Sequence, residues 1–201
     1  MTLSLPAGIT LYFARHGETQ ANSTGHLQGH TGDTPLTSKG EAQARAVGTT
    51  LRKHVQTPLD WVSSPLPRAR RTMELARQAY GLPPEGYRID PRLIEINMGN
   101  WEGLTHAEAK AKFPDAYAAR AKDKWNWRGA DGYESYSDVA ARAAAFVGDL
   151  KTDTFAMTHG AFTRILRGLL AGLDWHGIAA LGEPQGCVFR ARGGAVERLD
   201  D

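Results

Sequence analysis

Cysteine is nearly missing from this chain: Cys187 is the only one in 201 residues. A single thiol excludes an intramolecular disulfide and supplies too few thiolates for a zinc knuckle or an iron–sulfur centre. Long apolar runs are also missing. No segment approaches the ~20 residues that span a bilayer. The start, Met1-Thr2-Leu3-Ser4-Leu5-Pro6-Ala7-Gly8, has neither a basic beginning nor an unbroken apolar stretch, so it does not resemble a signal peptide. The chain is therefore expected in the cytoplasm, without a membrane partner. Excess charge of one sign is absent too, since 24 Lys and Arg against 22 Asp and Glu leave +2. The densest basic cluster, Arg68-Ala69-Arg70-Arg71, is too short for a nucleic-acid surface, and no basic stripe carries interleaved aromatics. Repeats, low-complexity tracts and Pro/Ser-rich linkers are lacking, and nothing marks an oligomer interface.

What is present is ordinary globular composition, 41% hydrophobic and 23% charged, enough for one domain over 1–201 with a well-buried core. Strand-like runs alternate with helix-like ones, which predicts an α/β layer architecture with a largely parallel sheet. Strands are expected at about 9–14, 60–63, 154–158, 188–190 and 195–199, and the stretch 88–96 reads as extended. A helix over 38–54 shows Gly40, Ala44, Val47 and Leu51 on one face, with Ser38 and Glu41 as a capping-box pair. A second helix follows Ser64-Pro65-Leu66-Pro67, because proline is tolerated in a first turn whose N–H groups lack partners. Others are expected over 137–150 and 162–170. The stretch 104–133 breaks the alternation and reads as an insertion beside the site. Thr105 and Glu108 cap a short helix there, and Trp125-Asn126-Trp127-Arg128 forms an aromatic loop.

Three segments share one design, a strand followed by a polar motif: Arg15-His16-Gly17-Glu18-Thr19, Ser64 to Arg68, and His159-Gly160. In an open α/β sheet, ligands bind outside the carboxyl ends of the strands, so the three motifs should converge. His159-Gly160 also precedes a helix, whose free N–H groups and positive dipole end favour an anion. Two arginines, two histidines and a helix N-terminus, with no metal-ligand pattern, describe a site for a phosphoryl group.

These residues carry a family resemblance. The run from Leu11 to Asn22 resembles the signature of the histidine phosphatase superfamily, phosphoglycerate mutase-like branch. The likeness continues through Gln28-Gly29, Pro35-Leu36-Thr37, Gly40 and Gln43-Ala44. It extends through Ser64-Pro65-Leu66-Pro67-Arg68-Ala69 with Thr72, then Glu95-Ile96, Gly99, Trp101-Glu102-Gly103, Glu134-Ser135 and Thr158-His159-Gly160. The resemblance implies a three-layer α/β/α sandwich around a mixed, mainly parallel sheet.

It also implies roles. His16 resembles the nucleophile that becomes transiently phosphorylated, as a neutral imidazole can when its other nitrogen is held by an acceptor. Arg15, Arg68 and His159 would bind the phosphoryl oxygens and meet the charge of the transition state. Asn22, Gln28, Gly29 and Gly160 complete the implied substrate-binding set. Glu95 resembles the general acid, which needs a raised pKa; Glu102 lies near enough in sequence to compete for that role. No metal and no cofactor are implied. Glu18 reads as a structural partner, while His30 and His106 fall in segments that rim the pocket. Cys187 reads as a small packed residue, and the turn Gln185-Gly186-Cys187 departs from the asparagine expected of the family.

The implied activity is a metal-independent phosphomonoesterase acting on a small phosphorylated metabolite, its only expected partner, through a phosphohistidine. Mutase-type phosphoryl transfer is the alternative, and a phosphate-binding module without turnover is a more distant one. The segment Met98-Gly99-Asn100-Trp101-Glu102-Gly103 looks like the phosphatase members. Trp125, Trp127 and Tyr133 suggest an aromatic or sugar face on the pocket wall, with a buried structural excursion as the other reading. Lys124 and Arg128 suggest a contact with a second anionic group.

Overall fold

The structure is a computed structural model describing residues 2–129 and 132–200. In chain order the elements are β1 (Leu11–Arg15), α1 (Gln20–Ser23), α2 (Ser38–His54), β2 (Asp60–Ser63), α3 (Pro67–Tyr80) and β3 (Arg88–Ile89). They continue with α4 (His106–Lys112), α5 (Pro114–Lys122), α6 (Tyr136–Gly148), β4 (Thr154–Thr158), α7 (Gly160–Leu170), α8 (Trp175–Ala180), β5 (Val188–Arg192) and β6 (Ala195–Leu199). The strands form one sheet in the order β3-β2-β4-β1-β5-β6. Strands β3, β2, β4 and β1 run parallel, whereas at one edge β5 pairs antiparallel with β1 and β6 antiparallel with β5. This is the mixed, mainly parallel sheet that the sequence implies.

Side chains alternate across a strand, so β1 feeds both layers of the sandwich. Leu11 and Phe13 point into a core with Val139, Phe146, Phe162 and Leu166 of α6 and α7. Tyr12 and Ala14 face the other way, against Val47 and Leu51 of α2 and Met73 and Ala76 of α3. The sheet is covered on both faces because its central strands are apolar on both. Among the described residues no helix is long and apolar enough to cross a membrane.

Two expectations need correction. Helix α2 has the expected bounds, but its cap is Thr37, not Ser38. The Thr37 hydroxyl accepts the Gly40 N–H at 3.0 Å, and Glu41 pairs with Arg71 of α3 at 3.2 Å instead of closing a capping box. The stretch 88–96 pairs with the sheet only at Arg88 and Ile89. Pro91 then starts a 3-10 turn capped by the Asp90 carboxylate. The chain beyond is held by a side chain, Arg142 of α6, which donates to the carbonyls of Arg92, Ile94 and Glu95 at 2.8, 2.6 and 3.0 Å.

Of the two readings of the tryptophans, the structure bears out the buried excursion and not the face on the pocket wall. Thr105 and Glu108 do form the expected capping box, at the start of α4. However, Trp127 lies 5.7 Å from the ring of buried Trp101 and 4.8 Å from that of buried Tyr133. Trp125 packs on the same core. Each such aromatic pair contributes about 0.5–1.5 kcal/mol beyond burial, and these contacts hold 104–129 on the body of the protein.

Candidate active site

The parallel register pairs Arg15 with Thr158 and Ser63 with Met157. Residues leaving the carboxyl ends of β1, β4 and β2 are therefore neighbours in space. The His16 N–H donates to the Thr158 carbonyl at 2.9 Å and the Ser64 N–H to the Met157 carbonyl at 3.0 Å. The rings of His16 and His159 consequently stand 5.1 Å apart. The three motifs singled out in the sequence thus meet.

His16 is 2% exposed. Its Nδ1 lies 2.8 Å from the Gly17 carbonyl, an acceptor that fixes the proton on Nδ1 and leaves the Nε2 lone pair free. Burial, then Arg15 and Arg68, push the imidazole pKa well below its ordinary value, so the ring is neutral. The loop is held from two sides. The Gly17 N–H donates to the Thr72 hydroxyl at 3.1 Å, and that hydroxyl donates to the Arg68 carbonyl at 2.7 Å. Gly17 also packs on the Gly40 backbone so closely that a Cβ would strike the Gly40 carbonyl.

Around His16 stand donors suited to an anion. The Arg68 side chain is 1% exposed and bound to Asp33 at 2.6 Å and to the Gly29 carbonyl at 2.8 Å. His159 Nε2 lies 2.7 Å from the Ser64 hydroxyl; with that hydroxyl as donor, the ring proton sits on Nδ1. Arg15 donates to the Glu183 carbonyl at 2.7 Å. After these bonds, Arg15 Nε, Arg68 Nε and His159 Nδ1 remain buried without a partner. Unpaired buried N–H groups are costly and uncommon, and three of them around one imidazole suit a phosphoryl group.

Glu95 is 8% exposed. Its carboxylate accepts the Ile96 N–H at 2.9 Å and the Ala161 and Phe162 N–H groups at 3.3 Å, at the start of α7. Burial, and then the charge of Glu183, raise its pKa. Glu102, the competing carboxylate, is a loop strut. It accepts the N–H groups of His30, Thr31 and Met98 at 2.9, 2.8 and 3.1 Å. Despite the opposing effect of burial, these bonds and the Thr31 hydroxyl hold its pKa down. Glu18 is structural as expected, bound to Lys39 and Thr37.

A cavity of about 260 Å³ has Arg15, His16, Asn22, Gln28 and Glu95 on its lining. His106, Arg120, Lys124, Tyr136, Arg164 and Glu183 line it as well. Arg68, His159, Gly160 and Gly29 stand outside that lining; Gly29 acts through its carbonyl on Arg68. Of the two histidines expected at the rim, His106 lines the cavity, and His30 instead bonds the Glu95 carbonyl at 2.7 Å. His26 lines it too. Arg128 turns to Asp138, and Trp125, Trp127 and Tyr133 lie off the lining.

A family profile for the histidine phosphatase superfamily (branch 1) matches residues 11–194. The chain belongs to that superfamily. Glucosyl-3-phosphoglycerate phosphatase of Mycobacterium tuberculosis is 40% identical over 140 residues, covering 70% of this chain and 59% of that protein. The Mycolicibacterium vanbaalenii enzyme of the same name is 34% identical over 187 residues, covering 86% and 80%. Among solved structures, the alpha-ribazole phosphatase of Shigella flexneri superposes with a TM-score of 0.80 at 27% identity, over 96% of each chain.

This member of the superfamily also places beside the candidate site residues that sequence patterns did not reveal. Glu183 pairs with Arg164 at 3.2 Å and lies 3.9 Å from Arg15. Asp33 fixes Arg68, and Arg142 holds the segment bearing Glu95. The turn at Gln185, which departs from the family pattern, does contact the His16 loop as expected: its amide donates to the His16 carbonyl at 3.0 Å and to Asn22 at 3.1 Å. One usable signal existed for Arg164, one of two arginines with Arg167 in the mainly apolar helix GAFTRILRGLL.

Proposed function

We propose that this chain is a metal-independent phosphomonoesterase that hydrolyses a small phosphorylated metabolite through a phosphohistidine on His16. The observation that carries the reading is a neutral, Nδ1-anchored His16 sharing one cavity with a buried glutamic acid of raised pKa. Environments that push two titratable groups apart assign nucleophile and acid.

His16 Nε2 attacks phosphorus in line, forming an N–P bond as the P–O ester bond breaks. Glu95 gives its proton to the departing alkoxide. Arg15, Arg68 and His159 hold the phosphoryl oxygens, with Arg15 Nε, Arg68 Nε and His159 Nδ1 as free donors. The arginine forks are suited to the spread charge of a loose phosphoryl transition state. Asn22 and Gln28 bound the same space, and the small Gly160 leaves room beside Arg15 Nε. Glu95, now ionised, takes a proton from water as that water attacks phosphorus. The N–P bond breaks, phosphate leaves and His16 returns to its neutral form.

The names of the relatives direct the choice of substrate: glucosyl-3-phosphoglycerate and alpha-ribazole phosphate are the first esters to try. Packing of both helix layers on one sheet supports a single domain, with 104–133 as an elaboration that reaches the cavity. The lone, buried Cys187 is compatible with a place in the reducing cytoplasm. The test is phosphate release from a panel of phosphomonoesters with chelator present, wild type beside His16→Ala. Turnover that survives chelator and vanishes in the variant is expected; turnover retained by the variant overturns the reading.

A further inference from the structure

The Glu95 carboxylate accepts the N–H of the next residue, Ile96, at 2.9 Å. That N–H and the Glu95 carbonyl belong to one planar, trans peptide unit, so they point in opposite directions. Whatever turns the carbonyl end therefore turns the N–H end and draws the carboxyl with it. Two side chains grip the carbonyl end. His30 Nε2 donates to the Glu95 carbonyl at 2.7 Å and Arg142 Nη2 at 3.0 Å. Two donors occupy both lone pairs of that oxygen.

The two grips differ in what else they hold. Arg142 also binds Glu134 and the carbonyls of Arg92 and Ile94, so it is part of the framework of the whole segment. His30 comes instead from the loop that clamps Arg68. Gly29, the residue before it, accepts Arg68 Nη2 at 2.8 Å through its carbonyl, and Asp33 accepts Arg68 Nη1 at 2.6 Å. Glu102 ties this loop to the Glu95 segment, accepting the N–H groups of His30 at 2.9 Å and Met98 at 3.1 Å. Gly29 lies so close that a Cβ would strike the Glu102 carboxylate. One short loop thus reaches both Glu95 and Arg68, by separate groups.

We propose that His30 is a positioning residue for proton transfer, acting through the Glu95–Ile96 peptide unit, while Gly29 and Asp33 of the same loop position Arg68. The proposal rests on the reading of Glu95 as general acid in a phosphatase. The two arms have different chemical consequences. His30 bears on the leaving group's proton, so its loss matters most for esters whose alkoxide departs poorly. Loss of Asp33 loosens a grip on the phosphoryl oxygens, which every ester shares.

The test is kcat/KM, which covers the steps up to departure of the alcohol, for p-nitrophenyl phosphate, phenyl phosphate and glycerol 3-phosphate. It compares wild type with His30→Ala, His30→Gln, Asp33→Ala and Glu95→Gln. In His30→Ala, glycerol 3-phosphate should lose on the order of tenfold and p-nitrophenyl phosphate less than about threefold, because a misplaced reacting group is expensive. His30→Gln, whose amide nitrogen reaches about as far as the ring nitrogen, should recover most of that loss. Asp33→Ala should slow all three esters by a similar factor. Equal losses on all esters in His30→Ala, the same steepening in Asp33→Ala, or no recovery in His30→Gln overturns the proposal. Glu95→Gln separates this from failure of the reading beneath it. A leaving-group dependence that steepens in Glu95→Gln but not in His30→Ala removes the role of His30 alone. A dependence unchanged in Glu95→Gln, or no phosphate release by wild type, removes both.

Discussion

Gln185 donates its side-chain amide to the carbonyl of His16 at 3.0 Å, joining residues 169 positions apart. A second hydrogen of that amide reaches Asn22 at 3.1 Å. The amide therefore holds both the His16 backbone and a lining residue from the far side of the chain. Removing it in Gln185→Ala should cost about 1–2 kcal/mol of stability, from two part-buried hydrogen bonds. It should also lower kcat on the order of tenfold, since small misplacements of a nucleophile are expensive. Thermal unfolding and steady-state kinetics check both, and wild-type kcat in the variant would refute the positioning role.

Glu95→Gln should slow alkyl phosphates far more than aryl phosphates, because only a poor leaving group needs the proton. Equal losses on both classes would remove Glu95 from the general-acid role.

The same variant has a signature in stability. The Glu95 carboxyl ionises near 4.5 when unfolded and at higher pH when folded. Between those values the folded state holds the extra proton, so its contribution to stability falls as pH rises. Glu95→Gln should therefore gain in melting temperature relative to wild type on going from pH 4 to pH 8. A constant difference across that range would contradict the raised pKa.

Glu183 supplies part of that shift and also engages Arg15 and Arg164. In Glu183→Gln the Glu95 pKa should fall toward its ordinary value, moving the alkaline limb of kcat to lower pH. Inorganic phosphate should inhibit more strongly, since a competing carboxylate has gone. An unmoved limb with unchanged inhibition would contradict both effects.

Gly17 faces the Gly40 carbonyl with no space for a Cβ. Gly17→Ala should destabilise the fold by about 1–3 kcal/mol through overpacking, and lower activity with it, as read by denaturant unfolding.

The positions of the main elements were legible because each is announced locally. The apolar run before Arg15 gives β1 and the spacing of Gly40, Ala44, Val47 and Leu51 gives α2; parallel strand ends then bring His16, Arg68 and His159 together. What stayed hidden depends on partners distant in sequence. Glu183 occupies a turn with no periodicity, and its meaning arises only when β5 is laid beside β1. Trp125 and Trp127 looked like a ligand face because aromatics serve both uses; Trp101 and Tyr133, buried beneath, decide for packing. The 88–96 stretch lost its strand because Pro91 removes a ladder donor and Arg142 takes up the carbonyls instead.

The most direct measurement is a rapid quench of the enzyme during turnover of an aryl phosphate, at alkaline pH, followed by mapping of the bound phosphoryl group. The account predicts an acid-labile, base-stable phosphoryl group on Nε2 of His16, formed and lost fast enough to lie on the path to phosphate. Phosphate release with no such species, or a phosphoryl group on any other residue, would contradict it.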